Sequence, residues 1–188
     1  LYKNCPYFTP YLYDDELNNL IPSRNPASKY CEFKLFLAYK DKKIVGSHGI
    51  TFWADHLLQD VLNKEYAGVF LPGGMPGAEK LGNDPNVLMQ LRKMNQKELL
   101  ISAICAAPVV LEKAGILSGK RVTCYPGFEQ RFQDGTVVDA NVVKDGHVIT
   151  GRAVGAAFEL GLKLIEFLKG KEMSDSIRRQ CLIEETVQ

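Results

Sequence analysis

From about residue 33 onward, short apolar segments alternate with segments of helical periodicity. Leu99–Ile104 has the continuous apolar pattern of a fully buried strand. The segment that follows, 108–115, begins with proline and ends at glycine, as helices commonly do. Strands that alternate with helices in this way predict an α/β fold with a mostly parallel sheet covered by helices on both faces.

The same reasoning predicts the other elements of the sheet and its helices. Strands are predicted over residues 33–39, 67–71 and 121–125. Helices are predicted over residues 54–62, 87–96, 155–168 and from about 172, the third with Phe158, Leu162, Ile165 and Leu168 on one face. Residues 44–52 are predicted to form a short hairpin or an edge segment, and a hairpin around an Asp145-Gly146 turn is predicted between 137–143 and 147–150. The first 32 residues fit poorly, because Pro10 interrupts an edge-strand pattern over 7–13.

Composition restricts the class of protein. A chain of 188 residues with 46% hydrophobic content is most economically one domain over 1–188, with an atypical segment at 1–32. A net charge of +1 with interspersed signs argues against a nucleic-acid or membrane partner, and no apolar stretch approaches bilayer length. Five irregularly spaced cysteines and no apolar leader favour a reducing, cytoplasmic location. The missing initiator Met suggests a fragment or a processed form.

Cys105 is the residue whose position most directly predicts chemistry. It falls between the strand that ends at Ile104 and the helix that begins at Pro108, where flanking alanines permit a sharp turn. A free cysteine more often simply packs. At a strand-to-helix turn near a helix N-terminus, however, the thiolate is favoured, and we expect a nucleophile with a lowered pKa.

A second glycine-rich segment, 72–77, also follows a predicted strand. Its glycines could serve only as a turn. Alternatively, the N–H groups of Gly73 and Gly74 could polarise a substrate oxygen without obstruction by a Cβ. Because both segments follow parallel strands, we expect Cys105 and the glycine pair to face one crevice.

Other polar residues are candidates for the same crevice. An acid from the group Asp14, Asp15 and Glu16 could move a proton, although such clusters more often begin a solvated helix. His48 lies in a glycine-rich turn, Tyr125 could donate its hydroxyl, and Arg152 could bind a carboxylate or phosphate. The three histidines lack metal-ligand spacing, so no metal site is predicted.

These motifs, in chain order, resemble the ThiJ/PfpI superfamily and most closely its DJ-one branch. The segments that carry the resemblance are Leu71-Pro72-Gly73-Gly74, Ala103-Ile104-Cys105-Ala106-Ala107-Pro108, Thr123-Cys124-Tyr125-Pro126-Gly127 and Gly155-Ala156-Ala157-Phe158-Glu159. The resemblance implies a flavodoxin-like three-layer sandwich, usually a homodimer, that uses no organic cofactor.

The resemblance also implies roles for individual residues. The nucleophile of the family falls on Cys105, and its amide donors fall on Gly73, Gly74 and Ala106. The histidine that follows the cysteine in the peptidases is replaced by Ala106, and a histidine common in the DJ-one branch is replaced by Tyr125. The family's N-terminal glutamate has Glu16 as its only stand-in.

Three functional hypotheses follow from this resemblance. The first is a glyoxalase- or deglycase-like hydrolase or lyase that acts on small 2-oxoaldehydes or glycation adducts through Cys105. The second is a redox-sensing or chaperone-like protein that signals through oxidation of the same thiol. The third is a degenerate, non-catalytic family member.

Overall fold

The computed structural model describes residues 36–37, 42–45 and 51–183. The strands are β1 Phe36–Leu37, β2 Lys43–Val45, β3 Thr51–Trp53, β4 His56–Leu57, β5 Gly68–Leu71, β6 Leu100–Ile104, β7 Arg121–Val122, β8 Thr136–Val137, β9 Val142–Asp145 and β10 Val148–Gly151. The helices are α1 Gly77–Asn83, α2 Pro85–Gln96, α3 Pro108–Lys113, α4 Ala157–Lys169 and α5 Lys171–Gln180. The alternation predicted from the sequence is confirmed.

The central sheet has the strand order β5-β6-β10-β9. β5 and β10 both pair in parallel with β6, while β9 pairs antiparallel with β10 at the edge. All five residues of β6 are buried, which explains its continuous apolar sequence. The sheet is therefore mostly parallel, as predicted.

The two faces of the sheet are covered by different helices. Leu111 and Val110 of α3 and Leu91 of α2 pack in one apolar cluster with Ile101 of β6. Leu160 of α4 packs in a second cluster, which contains alternate residues of β6 and Ile149 of β10. Side chains alternate across a strand, so one buried strand supplies both clusters. The architecture is a three-layer sandwich.

Local sequence signals explain where several elements begin and end. The side chain of Asp84 caps α2 by accepting hydrogen bonds from the backbone N–H of Asn86 at 2.8 Å and of Val87 at 3.2 Å, and Pro85 occupies the first helical turn. Gly170, with φ of 86°, ends α4. The Asp145-Gly146 turn joins β9 to β10, which confirms the predicted hairpin, although its first strand is Val142–Asp145 instead of 137–143.

Three predictions of local structure are wrong or incomplete. Residues 54–62 contain β4 and a short 3-10 turn at Leu58–Asp60 instead of a helix, because His56 and Leu57 pair with β1. Phe158 is 47% exposed, so the buried stripe of α4 uses Ala157, Leu160, Leu162 and Ile165. The helix α1 was not predicted, since its sequence carries two glycines and little apolar periodicity.

The predicted strand over 33–39 and the hairpin over 44–52 are described only in part. Phe36–Leu37 forms β1, and β2 pairs antiparallel with β3. The edge-strand prediction over 7–13 lies outside the described residues. No helix in the described part of the chain has the length and apolarity to cross a membrane.

Candidate active site

Parallel register brings three strand ends to one edge of the sheet. Leu71 of β5 pairs with Ala103 of β6, and Gly151 of β10 pairs with Ile104 of β6. The residues that follow these strands therefore emerge together, as the carboxyl ends of parallel strands do. They include the glycine segment, Cys105 and Arg152.

Cys105 occupies a left-handed backbone conformation, with φ of 64°. Its N–H donates to the carbonyl of Gly151 at 2.9 Å, and its own carbonyl accepts from the N–H of Tyr125 at 2.9 Å. A non-glycine residue in this region costs of order 1–3 kcal/mol, so the two flanking segments must hold it there. The predicted strand-to-helix elbow is confirmed, and its cysteine is half-buried.

Gly73 lies directly against this elbow. A Cβ built on Gly73 would lie 2.6 Å from the Cβ of Cys105, 2.8 Å from the carbonyl oxygen of Ile104 and 3.4 Å from the Cys105 sulfur. Only glycine fits at such a distance. Gly74 has φ of 91°, which likewise favours glycine. The glycine pair and Cys105 therefore lie next to each other, and a crevice shared by them stays a prediction.

The electrostatic surroundings of the Cys105 sulfur combine burial with two amide donors. Burial raises the pKa of the thiol above its ordinary value, while backbone N–H groups of Ala106 and Gly74 donate to the sulfur and lower it. Burial is the largest of these effects, so the net direction is upward. The amides nevertheless approach the sulfur from two segments, which is the arrangement that stabilises negative charge there.

The expectation of a lowered pKa for Cys105 is therefore wrong within the described surroundings. The helix that was expected to favour the thiolate, α3, spans only Pro108–Lys113. Desolvation of the half-buried sulfur outweighs what the two backbone donors supply.

The other predicted residues divide into two groups. Tyr125 is 47% exposed, its ring meets Phe128 edge-on at 6.3 Å, and its backbone contacts Cys105. Arg152 follows β10, and its guanidinium donates to the carboxylate of Asp139. Roles for the Tyr125 hydroxyl and the Arg152 guanidinium stay predictions. Glu16 and His48 lie outside the described residues.

Sequence reasoning did not single out the buried contacts that fix the segment after β7. The N–H of Thr123 donates to Oγ1 of Thr150 at 2.9 Å, and Oγ1 of Thr123 donates to the carbonyl of Ala140 at 2.7 Å. Cys124, only 3% exposed, follows directly. The polar Thr-Cys-Tyr sequence after a short strand was the feature of the sequence that could have indicated these contacts.

Within the described residues, no group of three or more histidine, cysteine, aspartate or glutamate side chains is arranged to hold a metal ion. The described site does offer one thiol, that of Cys105, together with the backbone N–H groups of Gly74 and Ala106. Such a site can form a covalent bond to an electrophilic carbon and stabilise the oxygen that becomes negative.

Comparisons with known proteins identify relatives with this architecture. A family model described as "DJ-1/PfpI family" matches residues 20–167. Protein dj-1beta of Drosophila melanogaster is 38% identical over 139 residues, which are 73% of this chain and 74% of that protein. Glutathione-independent glyoxalase DJR-1.2 of Caenorhabditis elegans is 35% identical over 151 residues, 79% of this chain and 80% of that protein. The matches to two longer relatives from Arabidopsis thaliana cover only 36% and 29% of their lengths.

Solved structures agree with this assignment. The structure of "Toxoplasma gondii DJ-1, oxidized" has a TM-score of 0.78 and 32% identity, and covers 82% of this chain and 84% of that one. Solved structures of this family have the flavodoxin-like fold that the resemblance in sequence implied. The match of the family model starts at residue 20, so Glu16 lies before it. The chain belongs to the DJ-1/PfpI family.

Proposed function

We propose that this protein is a glutathione-independent glyoxalase that converts small 2-oxoaldehydes, such as methylglyoxal, into 2-hydroxy acids. One observation carries the proposal: the Cys105 sulfur lies at a strained elbow and accepts hydrogen bonds from the backbone N–H groups of Gly74 and Ala106. A relative that is 35% identical bears the name of this activity.

The reaction would begin with attack of the Cys105 thiolate on the aldehyde carbon. A carbon–sulfur bond forms, the carbonyl π electrons move to oxygen, and protonation of that oxygen gives a hemithioacetal. Backbone donors stabilise the oxyanion in the transition state, which is worth about 2.7–4 kcal/mol for one such donor elsewhere. In the resting protein the same donors lower the pKa of the Cys105 thiol, and so they offset part of the increase that burial causes.

A proton must then move from the former aldehyde carbon to the adjacent carbonyl carbon. A base removes it to give an enediolate and returns it to the neighbouring carbon, which leaves a 2-hydroxyacyl thioester. Water hydrolyses this thioester and regenerates the thiol, so the net reaction is 2-oxoaldehyde plus water to 2-hydroxy acid. Glu16 is our candidate for the base, a role typically worth 10²–10⁴-fold in rate.

The test is production of lactate from methylglyoxal by the purified protein in the absence of glutathione and metal. We expect Cys105→Ser to abolish the activity and Glu16→Gln to lower it. Cys181→Ser is the matched control, because Cys181 is an exposed thiol after the last described helix. Turnover by Cys105→Ser at the parental rate would refute the proposal.

Glycation adducts are the alternative substrate class. We distinguish them by supplying the adduct of methylglyoxal with an amine or thiol while a separate enzyme removes all free methylglyoxal. Continued release of 2-hydroxy acid under this condition would indicate a deglycase. Its disappearance would indicate that only the free 2-oxoaldehyde is used.

A redox-sensing function is the second candidate, and the incomplete burial of Cys105 favours it, because susceptibility to oxidation rises with exposure of the thiol. A degenerate member would have neither activity nor selective oxidation at this thiol.

Further proposals drawn from the family resemblance are a homodimer, tested by light scattering after gel filtration, and a cytoplasmic location, tested by cell fractionation.

A further inference from the structure

A second cysteine, Cys124, lies one residue before a backbone contact with the elbow at Cys105. Cys124 immediately precedes Tyr125, whose N–H donates to the Cys105 carbonyl at 2.9 Å. With standard bond lengths, this hydrogen bond keeps the Cα atoms of Cys105 and Cys124 within about 8 Å of each other. Ionisation of Cys105 raises the pKa of Cys124, so the two thiols are also within electrostatic range.

The backbone of Cys124 is fixed from both sides. Thr123 is anchored by its N–H to Thr150 and by its hydroxyl to Ala140, and Tyr125 is anchored to Cys105. A disulfide needs a Cα separation of about 4.4–6.8 Å. This range lies inside the upper limit of about 8 Å that the hydrogen bond between Tyr125 and Cys105 sets, so the backbone contact is compatible with a disulfide.

The two thiols differ in how easily an oxidant reaches and attacks them. Cys105 is half-buried and receives two amide donors, whereas Cys124 is only 3% exposed. Burial and the nearby Glu129 carboxylate raise the pKa of Cys124 to about 11, while Arg152 opposes this. Because the thiolate is the species that peroxide oxidises, Cys105 reacts first and Cys124 is kept as a thiol.

We propose that Cys105 and Cys124 form a redox pair, in which a hydroperoxide oxidises Cys105 and Cys124 then closes an intramolecular disulfide. In the first step the Cys105 thiolate attacks the peroxide, the oxygen–oxygen bond breaks, and sulfenic acid and hydroxide (or alkoxide) form. In the second step the Cys124 sulfur displaces the hydroxyl of the sulfenic acid, and its proton leaves with that hydroxyl as water.

The disulfide would protect the elbow cysteine from irreversible oxidation. Sulfenic acid that is not captured proceeds to sulfinic acid, which ordinary thiols do not reduce. A disulfide instead returns both residues to thiols when a dithiol reductant is added. The inference uses the same sulfur as the proposed glyoxalase reaction but does not require that reaction.

Peptide mapping tests the proposal directly, because trypsin separates the two cysteines into residues 98–113 and 122–131. The protein is treated with hydrogen peroxide, remaining thiols are alkylated, and the digest is analysed without reduction. We expect one cross-linked peptide pair, lighter by two hydrogen atoms than the sum of its parts and separated by dithiothreitol. Cys105 sulfinic acid beside an alkylated Cys124, or a cross-link from Cys105 to another cysteine, would overturn the proposal.

Variants supply a second readout. Cys124→Ser should accumulate Cys105 sulfinic acid under the same treatment and lose the recovery of thiol on reduction, while Cys181→Ser should form the cross-link like the parent. Equal sulfinic acid in the parent and in Cys124→Ser would contradict the pairing. If Cys124→Ser does not fold, Cys124→Thr serves instead. The peptide map of the parent protein tests the disulfide independently of either variant. Lactate production by untreated parent tests the glyoxalase separately.

Discussion

The close approach of Gly73 to the elbow makes Gly73→Ala an informative perturbation. The added methyl carbon would lie 2.6 Å from the Cβ of Cys105 and 2.8 Å from the carbonyl oxygen of Ile104. Separations under 3.0 Å are essentially never found for real Cβ atoms, and one of the two obstacles is backbone. Either the 72–77 loop or the elbow must therefore move.

The size of the expected destabilisation depends on which atoms around residue 73 can move. Inserting a methyl group into a packed site typically costs about 1–3 kcal/mol. The elbow cannot relax freely, because Cys105 is bonded to Gly151 and Tyr125. We expect Gly73→Ala to destabilise the protein by this amount. If the glyoxalase proposal holds, a displacement of about 1 Å at the sulfur also lowers kcat/KM by about 10²-fold.

The assay pairs urea unfolding with methylglyoxal turnover, and Gly161→Ala is the matched control. Gly161 lies inside α4, and a Cβ there would meet no atom within 4 Å. Alanine should therefore stabilise that helix by roughly 0.5–1 kcal/mol without affecting turnover. A Gly73→Ala protein with parental stability and parental kinetics would refute the argument that this contact positions the thiol.

Two further predictions concern stability. Asp84→Ala removes the side-chain acceptor at the N-terminus of α2 and should lower the free energy of unfolding in urea by about 0.5–2 kcal/mol. Asp84→Asn keeps an acceptor and should retain most of this stability. Equal losses in both variants would exclude capping as the cause. The pKa of Cys124 is about 11 in the folded protein against an ordinary 9.0, so the unfolded chain loses this proton first as pH rises. The stability of the protein, measured as Tm, should then fall between pH 9 and 11. In Cys124→Ser the fall of Tm with pH should be shallower. An unchanged slope would show that Cys124 does not titrate in this way.

The amino-acid sequence alone determined the alternation of strands and helices around the central sheet and the position of the elbow. β6 is recognisable because all five of its residues are buried, and a strand buried on both faces must be continuously apolar. The Pro108 start of α3 and the Asp145-Gly146 turn are equally local signals. The motif at Cys105 combined several of these signals, which is why the family could be recognised from it.

Tertiary structure alone decided which residues meet at that elbow and what the thiol experiences. Burial outweighs the amide donors at Cys105, and no local pattern reports the balance of desolvation against hydrogen bonding. His56 and Leu57 form a short strand because β1 pairs with them, and Tyr125, the neighbour of Cys124, contacts Cys105 although the two are distant in the chain. These outcomes depend on long-range pairing, whereas helix starts, turns and buried strands are set by neighbouring residues.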